Sequence, residues 1–190
     1  MRKKGLAFFL VFVVLCLSLN AAEDTLEVKL EVASIPDSVK FTTGMYTNPA
    51  EGIPDDFPNN EKIITLSADN NEKTIYVSAR TNSSEAFSRK LIYTDLYRYE
   101  EGIRQNDFIE LKVEMDKGKV TYSGDSSVAE LNAPTPLSDG SKGYEINESA
   151  EGRGLRAIYY PLTISVDNSA FTNSTAGPYQ TDITIETSSI

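Results

Sequence analysis

Paired carboxylates are the one catalytic constellation that this 190-residue chain offers: Asp55 beside Asp56, and Glu100 beside Glu101. Two carboxyl groups can share acid–base work when a cleft holds them about 5–10 Å apart. Neighbours on a strand point to opposite faces, so neither pair meets that geometry by itself. The chain has no tryptophan, which weakens a sugar-cleaving reading, although ten tyrosines could stack on a substrate instead. It has no histidine, which excludes a histidine-based triad, a histidine-ligated metal and a c-type haem. With 28 Asp+Glu against 18 Lys+Arg, chance pairs of acids are expected, and solvated surface charge accounts for them. The expectation is a protein that is not an enzyme and needs no cofactor, with a carboxylate hydrolase as a distant alternative.

Calcium is the one metal to weigh, because it takes clustered oxygen ligands. Asp69, Asn70, Asn71 and Glu72 form one cluster, Asp167 and Asn168 another. Neither belongs to a D-x-D-x-D-G loop, and both read as turns, so no metal site is expected. A binding surface is the other chemical option. Tyr93, Tyr97 and Tyr99 alternate, with Arg98 among them and Arg104 nearby. Tyrosine gives a large amphipathic contact at low entropy cost; an alternating ladder of them also serves plain sheet packing. Three N-x-S/T triplets, at Asn82, Asn147 and Asn173, matter only where a matching glycosyltransferase exists. The net charge of −10 excludes a strongly basic nucleic-acid surface.

The elements that would position these groups begin after an export signal. Arg2, Lys3 and Lys4 precede an unbroken apolar run, Leu6–Leu17, of 12 residues. That is too short for a membrane span and right for a signal peptide. Cleavage is expected after Ala21 or Ala22, giving a signal over 1–22 and a single domain over 23–190. An uncleaved anchor is the alternative, as is a lipid on Cys16, although Leu15 before it is not the small residue a lipoprotein needs. Loss of Cys16 leaves no cysteine, so the domain must hold by its core alone. Loss of the three basic residues leaves 15 against 28 acids, a net charge of −13, which favours solubility.

The rest alternates with a period of two, the mark of half-buried strands. Leu26, Val28, Leu30 and Val32 share one face of Thr25–Ile35. Further strands are expected near Val39–Tyr46, over Glu61–Ala68 and Lys73–Thr81 around an Asp69–Glu72 turn, and over Arg89–Glu100. Asp107–Met115 puts Ile109, Leu111, Val113 and Met115 inward, and Asp116-Lys117-Gly118 reads as a hairpin turn into Lys119–Ser123. Gly124–Arg153 reads as a long irregular loop. In Gly154–Asp167, Ile158, Tyr160, Leu162, Ile164 and Val166 share a face, and Pro161 marks an edge, a bulge or a join between two strands. Tyr179–Thr187 closes the chain with Ile183 and Ile185 inward. About eight or nine strands with one wet face each predict an all-β, antiparallel, Ig-like β-sandwich, with a small β-barrel as the alternative.

The closing segment carries a resemblance. Ala176, Gly177 and Tyr179, followed by the alternating Ile183 and Ile185, are similar to the last hairpin of exported bacterial Ig-like and fimbrial (pilin-like) domains, without their disulfide cysteines. The resemblance covers about one-tenth of the chain and implies a structural or adhesive surface protein. The expected location is the periplasm, cell surface or extracellular space, with no membrane span in the mature chain. The expected partner is a protein, by self-assembly or at a surface, or a glycan, the latter through a soluble binding module with Tyr93, Tyr97, Tyr99 and Arg98 as its surface. Thr25–Val32 is either the first strand of its own sandwich or a strand donated to a neighbour, with Leu26, Val28, Leu30 and Val32 as the inserted side chains.

Overall fold

The computed structural model describes residues 38–57, 63–125, 127–148 and 154–189, all within the unit Ser34–Ile190. The expected signal peptide and the segment Thr25–Val32 lie outside the described residues. Thirteen strands are described: β1 Ser38–Thr42, β2 Glu72–Thr81, β3 Phe87–Tyr93, β4 Leu96–Glu100, β5 Ile103–Ile109, β6 Lys112–Met115, β7 Lys119–Tyr122, β8 Val128–Glu130, β9 Thr135–Pro136, β10 Gly143–Glu148, β11 Arg156–Ser165, β12 Tyr179–Gln180 and β13 Ile183–Ser189. One six-residue helix, α1 Asn168–Asn173, joins them. Every ladder is antiparallel. The fold is the expected all-β sandwich, and the sheets do not close into a barrel. The first sheet runs β1-β2-β11-β7-β8 with β6 also on β11, the second β13-β3-β10-β9, and a third β12-β4-β5.

The strand count exceeds the expected eight or nine for two reasons. Long alternating segments are cut where the chain changes sheet, and the stretch expected to be a loop holds β8, β9 and β10. Arg89–Glu100 is extended, as its tyrosines and isoleucine favour, but it breaks at Thr94 and Asp95 between β3 and β4. In residues 107–115 the alternation holds through a change of sheet. Ile109, Leu111, Val113 and Met115 are buried and Glu110, Lys112 and Glu114 exposed, while the chain passes from β5 in the third sheet to β6 in the first. Asp95 Oδ1 accepts from the Leu111 backbone N–H at 3.1 Å and from Lys142 Nζ at 2.6 Å, tying the two crossings together.

The hairpin expected at Asp116-Lys117-Gly118 is not one. β6 and β7 run on in the same direction along one edge of β11, Met115 opposite Leu162 and Lys119 opposite Tyr159. Three residues of one strand therefore face two of the other, Tyr160 and Pro161, which is a bulge. Pro161 is the cause. Its carbonyl accepts from the Asp116 N–H at 3.1 Å, so its nitrogen, which has no hydrogen, faces the same side, where a regular ladder would need a donor. Gly118 is required for a different reason from the one its sequence context suggests. Its φ is not positive; a Cβ there would sit 2.4 Å from Tyr160 Cε1. The hairpin at Asp69–Glu72 also shifts. The turn lies at Ala68 and Asp69 between the bridged Ser67 and Asn70, and residues 63–66 form no strand.

The core lies between the first two sheets. Val77 faces Tyr160 across β2 and β11, Ile75 faces Leu162 and Ala79 faces Ile158, and these pack with Leu91 of β3 and Ile146 of β10. Tyr144 donates its hydroxyl to the Val113 carbonyl at 3.0 Å, linking the two sheets. An ion pair sits inside this core. Arg89 Nε and Nη2 donate to Glu148 Oε1 and Oε2 at 2.8 and 3.3 Å, with side chains 0% and 4% exposed. Arg89 Nη1 also donates to Thr187 Oγ1 at 2.9 Å, and the guanidinium lies 5.4 Å from the Phe87 ring centroid. Burial pushes the Tyr160 phenol well above its ordinary value, an effect that the Glu148 charge increases and Arg89 opposes.

Two substitutions test this account. Gly118→Ala has no room against a ring that is 2% exposed, and should lower stability by about 1–3 kcal/mol in thermal or denaturant unfolding, as overpacking does. Gly118→Ala combined with Tyr160→Leu should lose less than the sum of the two single changes. Arg89→Met should cost about 3–5 kcal/mol because it strands the Glu148 charge, while Arg89→Met with Glu148→Leu should recover most of that loss.

Candidate functional site

The feature with most capacity for function is a groove between two sheet edges. β1 ends the first sheet and β13 ends the second, and each has one hydrogen-bonded neighbour among the described residues, β2 and β3. Between them lies a cavity of about 1130 Å³. Val39 and Phe41 line it from β1, Ile183 and Ile185 from β13, and Ile164 and Leu111 from the core. Small-molecule pockets occupy about 300–1,000 Å³, so this one is larger than a single small ligand needs. Its walls are strand edges that have no second partner among the described residues, with apolar side chains toward the core and polar ones such as Lys40 and Asp182 at the rim. An extended peptide meets both: its amides continue a ladder and its alternate side chains point inward.

The residues proposed from sequence as a binding surface do not form one patch. Tyr93 belongs to the second sheet and packs against the core; burial raises its phenol pKa first, with the charge of Tyr144 adding. Tyr97 and Tyr99 lie on β4 in the third sheet, and Tyr99 lines the groove. Arg98 is engaged within the fold: Nε donates to Asp107 Oδ2 at 2.9 Å and Nη1 to Glu100 Oε2 at 3.3 Å. The Asp107 hydrogen bond is the main reason its pKa rises. An exposed cation of this region is Arg104, whose guanidinium stacks 3.4 Å from the Tyr97 ring centroid, with the Phe108 ring tilted against the same tyrosine at 6.0 Å.

The acidic positions hold the fold together. Asp56 Oδ1 accepts from the Thr43 N–H at 3.0 Å, and Oδ2 from the Thr43 hydroxyl at 2.5 Å and the Gly44 N–H at 3.2 Å. Burial alone would raise its pKa; the three bonds from Thr43 and Gly44 outweigh that and hold it below the usual range. Glu100 receives Arg98. Asp167 receives Lys112 Nζ on both oxygens at 2.9 Å, and Asn71 donates to the Val166 carbonyl at 2.9 Å, so both clusters weighed for calcium secure strand ends. Among the described residues no helix is long and apolar enough to cross a membrane.

The groove was missed from sequence because its walls come from distant segments. Leu111, Ile164 and Ile183 each read as ordinary inward positions and Val39 as part of a short strand, and no local pattern says that their two sheets stay apart at one side. No protein-family model matches the chain, and no curated protein is similar to it. An accessible apolar groove should make the native protein enhance the fluorescence of anilinonaphthalene sulfonate, a probe of exposed apolar surface. Phe41→Glu should remove most of that enhancement while the far-ultraviolet circular dichroism stays β-rich.

Proposed function

We propose that this is an exported structural or adhesive surface protein of fimbrial type, without enzymatic activity, whose copies join by strand addition. Thr25–Val32 of one copy enters the groove between β1 and β13 of the next. The observation that carries this reading is the groove itself: two strand edges that have no second partner among the described residues flank a largely apolar channel, and the same chain contains a segment with the matching alternation.

The dimensions support it. Eight residues at about 3.3 Å each span roughly 26 Å, comparable with the seven residues of β13. Leu26, Val28, Leu30 and Val32 supply four inward side chains, and Glu27, Lys29 and Glu31 remain on the wet face. Cleavage near Ala22, as proposed from the sequence, would put the segment at the chain's N-terminal end. The sequence resemblance of the closing segment to the last hairpin of fimbrial domains agrees with this role, although here β12 and β13 join different sheets, as does the strongly acidic chain, which lacks cysteine once Cys16 is cleaved.

Deletion of residues 23–32 tests the reading. The full-length protein should form concentration-dependent oligomers in size-exclusion chromatography, and the deleted form should be a folded monomer. A synthetic Thr25–Val32 peptide should bind the deleted form and raise its melting temperature. A full-length protein that stays monomeric at high concentration, together with a deleted form that is unfolded, would place the segment in its own core, where each of its four apolar side chains is worth about 1.5–3 kcal/mol.

A further inference from the structure

A second cleft lies on the third sheet. The turn of the β4–β5 hairpin is Glu101-Gly102, with φ of 50° and 80°, the left-handed pair of a two-residue type I′ turn. Tyr99 faces Arg104 and Tyr97 faces Phe108, so the single residue Arg98 opposes three, Gln105 to Asp107. That irregularity breaks the pleat, and the consecutive residues Asn106, Asp107 and Phe108 all line one cleft of about 340 Å³. Its other wall is the end of α1 and the segment after it, with Asn173, Thr175 and Tyr179. The Tyr179 hydroxyl donates to the Thr175 carbonyl at 3.0 Å, and the Tyr99 N–H donates to the Pro178 carbonyl at 2.9 Å, so this wall is fixed to the hairpin.

We propose that this cleft binds a neutral pyranose. The ligand class follows from the side chains. Asp107 is held by Arg98 through Oδ2, and its Oδ1 receives no hydrogen bond among the described residues. That oxygen is an acceptor for hydroxyl groups. The Asn106 and Asn173 amides, on opposite walls, each both donate and accept, as a pair of vicinal hydroxyls requires. Phe108 is 58% exposed and offers a ring on which the C–H face of a sugar can lie. The volume is at the low end of ligand pockets, enough for a single ring. Charge selects against anions: the Asp107 carboxylate lines the cleft, the chain carries −10, and the adjacent Arg98 already serves Asp107 and Glu100. A phosphate or a uronate would be repelled where a neutral sugar is not.

The test is a ¹⁵N NMR titration of the full-length protein with methyl glucoside, methyl galactoside, methyl mannoside and, as the anionic control, glucuronate. At least one neutral glycoside should shift the backbone and side-chain amides of Asn106–Phe108 and Asn173–Thr175, with a Kd of about 1 mM. A linear oligosaccharide of that sugar should bind at least as tightly if the source is a polymer, and more weakly if it is the free sugar. Phe108→Ala should weaken binding about tenfold, the ratio that 1.4 kcal/mol represents, with an unchanged melting temperature because the ring is mostly exposed. No shift in the cleft, shifts that Phe108→Ala leaves intact, or equal binding of glucuronate would each overturn the proposal. The readout does not depend on oligomerisation, so its failure is separate from failure of the strand-addition reading.

Discussion

A missing amide hydrogen in a central strand sets the geometry of the first sheet. β11 pairs with β2 over its full ten residues and carries Ile158, Tyr160, Leu162 and Ile164 into the core. Pro161 interrupts its other edge. The partner segment bulges past that point, and the bulge brings its backbone against the Tyr160 ring, which a side chain larger than hydrogen at residue 118 would not permit. One proline thus dictates a bulge, a glycine and the seat of Tyr160, the most deeply buried tyrosine among the described residues. Below the bulge, β6 and β11 resume their register, with Val113 opposite Ile164. Ile164 and Leu111 therefore arrive at the base of the groove on a strand pair that the bulge has offset by one residue.

The two clefts are consequences of how the chain changes sheets. It leaves the second sheet at Thr94, makes the β4–β5 hairpin and enters the first sheet at Lys112. Asp95 fastens the start of that excursion to its end through Leu111. Without such a clamp the hairpin would be an isolated two-stranded unit, which is marginal in water. Clamped, and joined by β12, it stands beside the sandwich as a third sheet. One part of it contributes Leu96 and Tyr99 to the groove, and its irregular strand forms the polar cleft.

Much of the fold was legible in the sequence because alternation reports burial directly. Ile109 to Met115 were read correctly residue by residue, as was the inward face of Ile158 to Val166. The failures share a cause: alternation says which face is buried and does not say which sheet a strand joins. It therefore ran β3 into β4 and β5 into β6. The buried ion pair hid more. Phe87, Arg89, Leu91 and Tyr93 form one inward face, and Tyr144, Ile146 and Glu148 another, but a charge in each broke the apolar pattern. The two exceptions satisfy each other, so β10, a strand inside the second sheet, read as loop. A hairpin turn would ask Gly118 for freedom of φ, whereas its value here lies in its lack of a Cβ. Of the candidate site, the tyrosine–arginine cluster was visible but its division between two sheets was not, since that depends on the break at Asp95.

Strand edges without a second partner among the described residues, beside a largely apolar channel, invite indiscriminate pairing, and the composition counters that. Edges are commonly protected by charge. Here Lys40 lies on β1 and Glu186 on β13, and the net charge of −10 makes copies repel at a distance. A partner strand must then offer enough apolar contact to overcome the repulsion, and its other face must tolerate charge. Generic hydrophobic strands meet the first condition only. A segment that alternates apolar residues with Glu, Lys and Glu, as the proposed Thr25–Val32 does, would meet both. The net charge thus narrows the choice of what can occupy the groove.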